Sequence, residues 1–155
     1  MIATNVVQDP SQIAILSPTV DESTVNGVGY LVRELESLPD DAFILVMTHS
    51  HALDFDLVSA ALLERRFAYV GLIGSDTKRA RFRRRLRQAG LADKDIGKMV
   101  CPIGIPGIQS KQPNVIGASV VADLLCRMEQ CESIRNNKQQ SLKRAGRVAK
   151  GEQYG

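Results

Sequence analysis

Phe67–Gln88, FAYVGLIGSDTKRARFRRRLRQ, constrains the fold more than any other stretch of the chain. It reads as a buried strand, a glycine turn, a serine cap and a basic helix. Phe67–Ile73 is a bounded apolar run, the pattern of a parallel strand covered on both faces. Gly71 and Gly74 allow close backbone approach or a positive φ. Ser75 is a favourable N-cap, with Asp76 in the first turn. A helix start presents unpaired N–H groups and the positive end of the helix dipole, so an anion is expected there. Lys78 and Arg79 add formal charge, and a phosphate-bearing ligand is the natural guess.

The elements around it fall into an alternating order. Met1–Val7 is expected to form a short strand ending at Asp9-Pro10, and Gln12–Thr24 a loop. Gly27–Leu38 carries Val28, Leu31, Val32 and Leu35 at helical spacing, and Pro39-Asp40-Asp41 breaks that pattern. Phe43–Met47 is a second buried strand, and Leu53–Arg66 a helix with Asp54 and Asp56 in its first turn. In the basic helix Phe82, Leu86 and Ala89 share one face, while Arg81, Arg83, Arg84 and Arg87 point away from it. Gly90 suits the C′ position. Asp93–Lys98 reads as a short helix and Met99–Gln112 as a Gly/Pro-rich loop. Pro113 suits the first turn of a last helix running to Met128. Gly117 inside that helix costs ~1 kcal/mol relative to Ala unless close packing requires it. Beyond Gln130 the chain turns polar and basic with no apolar period, which predicts a frayed or disordered tail. The domain reading is therefore 1–129 as an α/β domain and 130–155 as a basic tail.

Alternating strands and helices predict a parallel sheet with helices on both faces. In such sheets ligands sit beyond the carboxyl ends of the strands. Asp9, the segment Thr48–Asp54 and the turn Gly71–Ser75 all lie at such ends, and that coincidence weighs more than any one of them.

The 155 residues suffice for one α/β domain with a core. No apolar run approaches the roughly 20 residues of a membrane helix, and no basic-then-apolar leader is evident. Three cysteines, Cys101, Cys126 and Cys131, suit neither a disulfide framework nor a zinc site, so a reducing cytoplasm fits best. The net charge of +3 hides an asymmetry: residues 65–87 hold nine of the twenty Lys and Arg, with Asp76 the only acid, and residues 130–155 hold six more. Such an excess suggests an anionic ligand or an acidic partner surface, against the plainer reading of a solvated helix face.

Both histidines of the chain lie in Thr48-His49-Ser50-His51, followed by Asp54. Two histidines and an aspartate with nothing further in reach make an insufficient metal set, so no metal site is assigned. His49 and His51 either contact a ligand at the strand end or bond to loop backbone, and the residues leave both readings open. Gly71–Ser75 spells G-x-x-G-S, which is neither the G-x-G-x-x-G nor the G-x-x-x-x-G-K-S/T phosphate loop. Cys101–Ile108 is a long apolar loop, expected to fold over the site or meet a partner. Cys101 has no histidine close in sequence to activate it and is not read as a nucleophile.

Taken together, THSHALDFDLVSAAL, FAYVGLIGSDTKRARFRRRL and CPIGIPGIQSKQPNVIGASVVADLL resemble the C-terminal Rossmann domain of the XdhC/CoxI family, accessory proteins of xanthine dehydrogenase and related molybdenum hydroxylases. The resemblance spans about residues 43–129. Val6-Val7-Gln8-Asp9-Pro10 looks like the family's second strand, with Ser11 where an arginine is common. Near the last helix, Asn114 and Val115 stand for acidic residues common in the family, and Gly117 for alanine. On this comparison the first βα unit and its dinucleotide fingerprint are absent, so an N-terminally truncated domain is expected.

The resemblance implies a chaperone rather than an enzyme. It would bind the molybdenum cofactor (molybdopterin) and serve a molybdenum hydroxylase subunit, with a cysteine desulfurase and a second copy of the chain as further partner candidates. The cofactor-binding set expected from their shared location at the strand ends is Asp9, Thr48, His49, His51, Asp54, Gly71, Gly74, Ser75, Lys78 and Arg79. Three other readings compete. An NAD(P)- or nucleotide-binding oxidoreductase needs the missing glycine fingerprint. A nucleic-acid module is opposed by an aromatic content of 5%. The third is a remnant without activity.

Overall fold

The computed structural model describes the backbone of residues 5–6, 13–16 and 33–151 and the side chains of residues 33–143. Five strands form one sheet in the order β1-β2-β3-β4-β5. They are β1 (Asn5–Val6), β2 (Ile13–Leu16), β3 (Phe43–Val46), β4 (Tyr69–Leu72) and β5 (Met99–Val100). Strands β2 to β5 run parallel, and β1 lies antiparallel to β2 at the edge. The helices are α1 (residues 33–37), α2 (His51–Glu64), α3 (Asp76–Gln88), α4 (Asp93–Ile96) and α5 (Pro113–Gly151). This is the expected Rossmann-like α/β arrangement. The chain divides into two compact units, Met1–Ile103 with the sheet and α1–α4, and Gly104–Gly155 with α5.

Every residue of β3 and β4 is buried, as their unbroken apolar runs require. Ile44, Val46, Val70 and Leu72 join Leu35, Leu57, Leu62, Phe82 and Leu86 in one core. Phe43 and Tyr69, paired in register, turn to the other side and stack with ring centroids 5.7 Å apart. Gly71 shares that side. A Cβ there would stand 2.4 Å from Tyr69 Cε1 and 2.9 Å from Ile103 Cγ2, so the glycine makes room for a ring and an isoleucine.

Helix ends follow their local chemistry. Ser75 caps α3, accepting from the Lys78 amide. At the other end Gly90, at φ +89°, donates to Arg87 O, and Leu91 N–H reaches Leu86 O. This pair of bonds is a Schellman stop, and it places Gly90 at the C′ position expected of it. Where α1 ends, the Arg66 guanidinium donates to the carbonyls of Leu35 (2.5 Å), Glu36 (3.2 Å) and Leu38, supplying partners that helix carbonyls otherwise lack. The same group stacks on Phe67, 4.6 Å from the ring centre.

Several expectations are revised. The span Gln12–Thr24, expected as loop, contains β2: Ile13–Leu16 is a four-residue apolar run, too short to stand out from its polar neighbours. The first strand is seen as Asn5–Val6 and is antiparallel, not the parallel second strand of a Rossmann half. Met99–Val100, assigned to the loop, pairs with β4 as β5. Helix α2 starts two residues early because Ser50 caps it. Helix α5 continues to Gly151, through residues expected to form a tail. The residues past Gln130 lack an apolar stripe but are rich in Gln, Glu, Lys, Arg and Ala, strong helix formers that need no packed face to favour helical dihedrals. A Cβ at Gly117 would meet nothing within 4 Å, so close packing does not call for glycine there.

Candidate functional site

Strands β3 and β4 are parallel neighbours, so the segments that follow them emerge at the same rim of the sheet. Thr48–Asp54 leaves β3, Ile73–Lys78 leaves β4, and Cys101 follows β5. The structure thus brings together Thr48, Asp54, Gly74, Ser75, Lys78 and the two exposed histidines at the entrance to α2. Asp9 and Ser11 lie outside the described residues.

What joins the two corners is a buried ion pair. Lys78 Nζ lies 2.6 Å from Asp54 Oδ2, with side chains 10% and 1% exposed. Asp54 Oδ1 accepts from the Thr48 amide at 3.1 Å, and Thr48 Oγ1 sits 2.7 Å away. That hydroxyl accepts in turn from Ser50 N–H at 3.2 Å, so Thr48 fixes the loop that carries His49 and His51. The ammonium also donates to the Ile73 carbonyl at 2.8 Å, where β4 ends. Both charges are therefore paired and hydrogen-bonded, which a charge at this depth requires. The lysine reaches inward by crossing Gly74, where a Cβ would stand 2.5 Å from Lys78 Cδ.

This geometry alters the expected roles. Asp54, Thr48 and Lys78 engage one another, and Lys78 is not an open cation waiting for an anion. Arg79 lies 2.9 Å from Asp76 one turn away, in a half-exposed pair. The formal charges at the rim thus cancel two by two. What the rim offers an anion is the serine hydroxyl, the Asp76 and Thr77 amides that a first helical turn does not use internally, and the dipole end of α3. Gly71 sits in β4 and serves packing, and Gly74 makes space for Lys78.

Cys101 belongs to the same rim. Its thiol is buried, 3.9 Å from the Ser75 carbonyl. Burial pushes its pKa above the usual range, and the positive charges of Lys78 and Arg79 offset only part of that rise. The thiol therefore stays protonated at neutral pH, consistent with a packing role. The loop after it is held from its own unit: Ile105 N–H donates to Ser119 Oγ of α5 at 2.7 Å, and Gly104, at φ +95°, has no room for a Cβ beside that hydroxyl.

Sequence reading missed the Asp54–Lys78 pair, although a signal exists. An acid in the first turn of one helix and a base in the first turn of the next, after adjacent parallel strands, are placed side by side by the topology. Among the described residues no three His, Cys, Asp or Glu side chains gather to hold a metal ion. No helix among them is long and apolar enough to cross a membrane.

A family model described as XdhC Rossmann domain matches residues 3–124. Over 100 residues the chain is 34% identical to "Uncharacterized protein YqeB" of Escherichia coli (strain K12), an alignment covering 63% of this chain and 17% of that protein. The chain thus spans well under two thirds of that relative's length.

Proposed function

The chain belongs to the XdhC Rossmann domain family, and from that membership we propose that it acts in an accessory protein that binds the molybdenum cofactor and helps deliver it to a xanthine dehydrogenase-type hydroxylase. One observation carries the reading beyond membership: the corners after β3 and β4 share a rim and are locked together by the Asp54–Lys78 pair. A rigid, charge-balanced rim suits a carrier, which must hold a cargo without reacting with it. The cargo's phosphate would sit at the start of α3, against the Ser75 hydroxyl and the Asp76 and Thr77 amides. His49 and His51, exposed at the same rim, would offer ring N–H groups to the cargo's polar edge. Thr48, Asp54 and Lys78 would hold these groups in place rather than touch the ligand. The chemistry belongs to the molybdenum centre, and this chain's part is to bind and orient. A hydroxylase subunit and a cysteine desulfurase are the proposed partners, and the cytoplasm the proposed compartment.

The test is Ser75→Asp, which sets a carboxylate where the phosphate would sit. With molybdenum cofactor released from a purified hydroxylase as titrant, affinity should fall by about tenfold or more, because charge-assisted contacts of ~1.5–3 kcal/mol each turn repulsive. Aspartate remains a competent N-cap, so thermal stability should hold. Unchanged affinity in a folded variant removes the site. Saturable quenching or enhancement of NADPH fluorescence by the parent chain would favour a nicotinamide ligand instead.

A further inference from the structure

We propose that the outward face of α3, built on Arg81 and Arg84, docks an acidic protein surface. This goes beyond the cofactor reading and does not depend on what the rim binds. The two residues lie about 8 and 12 Å along the helix axis from its Asp76 end, well away from the cap.

Most charges along α3 are already answered. Among the described residues, the acids paired at or beside α3 are each engaged by a base other than Arg81 and Arg84. Asp54 holds Lys78, Asp76 holds Arg79, Asp93 holds Arg87 at 2.6 Å, and Asp95 holds Arg65 at 2.9 Å. Arg85 lies flat over the Phe55 ring, 4.0 Å from its centre. Arg81 and Arg84 are exposed, and among the described residues neither meets an acid. They are not neutral additions to the helix. Arg81 and Arg85, like Arg83 and Arg87, are spaced i,i+4, and Arg84 stands three residues from both Arg81 and Arg87. Each of these like-charge spacings weakens a helix. A face that costs its own helix stability and finds no acid among the described residues is complementary to carboxylates on another molecule, which arginine's planar fork takes two oxygens at a time.

A protein suits this face better than a nucleic acid. Among the described residues no aromatic ring stands exposed for base stacking: Phe82 of α3 is buried, and Phe55 is covered by Arg85. The face is the convex side of one helix rather than a groove that could track a backbone.

Fluorescence anisotropy of the full chain with dye-labelled poly-L-glutamate, and separately with a single-stranded RNA of about 20 nucleotides, tests the assignment. Arg81→Glu/Arg84→Glu should weaken polyglutamate binding by about tenfold or more, as two charge-assisted contacts reverse sign. Lys138→Glu/Lys143→Glu, which reverses as many charges on α5, should change it by less than about twofold if the face on α3 is the site. The α3 variant should melt no lower than the parent, because its new acids relieve like-charge neighbours. Should it not fold, Arg81→Gln/Arg84→Gln removes the charges without reversing them and carries the same expectation. The proposal is overturned if the α3 variant binds as the parent does, or if the α5 variant loses as much. RNA bound more tightly than polyglutamate, and lost in the α3 variant, would reassign the face to nucleic acid.

Discussion

In the first turn of α3, Lys78 turns inward and spends its charge on Asp54 and the end of β4. One and two turns later, Arg81 and Arg84 turn outward and, among the described residues, meet no acid. Composition sees both regions as one basic stretch. Geometry separates them by what surrounds each nitrogen: a buried carboxylate and carbonyl in one case, solvent in the other. The first region holds two corners of the sheet together, and the second is available to something outside. A run of positive charge is thus not a single feature, and its functional meaning is set residue by residue by the helical phase that decides which cations are buried.

The contrast can be broken most directly at Lys78. Lys78→Met leaves Asp54 buried without its counter-charge and should cost about 3–5 kcal/mol in urea unfolding, whereas Arg84→Ala should stay within ~0.5 kcal/mol. Similar losses for the two would erase the distinction. Gly74→Ala sharpens it. The added Cβ meets the flexible Lys78 stem, so the pair can survive only by shifting. A loss of about 1–2 kcal/mol is expected from overpacking. That loss should largely vanish when measured in a Lys78→Met background, and a full additive cost would show that Gly74 matters for some other reason.

The smallest effect concerns Cys101, whose raised pKa arises beside the same lysine. A thiol harder to ionise when folded stabilises the fold fully below the unfolded thiol's pKa of about 8.5, and that contribution is lost as pH rises through the higher folded value. The urea midpoint of the parent should therefore fall more steeply between pH 8 and 10 than that of Cys101→Ala. Cys126→Ala, at an exposed position, should follow the parent. Parallel curves for all three chains would mean that the thiol's burial has no bearing on stability in this range.

Much of the fold was legible because its signals are local. The apolar runs at Phe43 and Phe67, the Ser75 cap, the Gly90 stop and Pro113 at the start of α5 each declare themselves within a few residues. The strands β2 and β5 did not, since neither lies inside a longer apolar run as β3 and β4 do, and each acquires its identity from the neighbour it pairs with. The site was legible as a place but not as a set of roles. The order of the elements puts Thr48–Asp54 and Gly74–Lys78 at one rim. Which of those residues would spend their bonding capacity on each other depends on rotamers and depth, and neither is written in spacing. Arg66 shows the same limit, for nothing in its neighbours announces that it will reach back to Leu35, Glu36 and Leu38.

That arginine gives the protein a second fastening, at the margin where β3 and β4 begin, opposite the one where Asp54 and Lys78 meet. Each fastening draws on its own partners and shares none with the other. Amide exchange should report two separate opening events, and an engineer could recast the cargo end for a different guest while the far end keeps the layers in register.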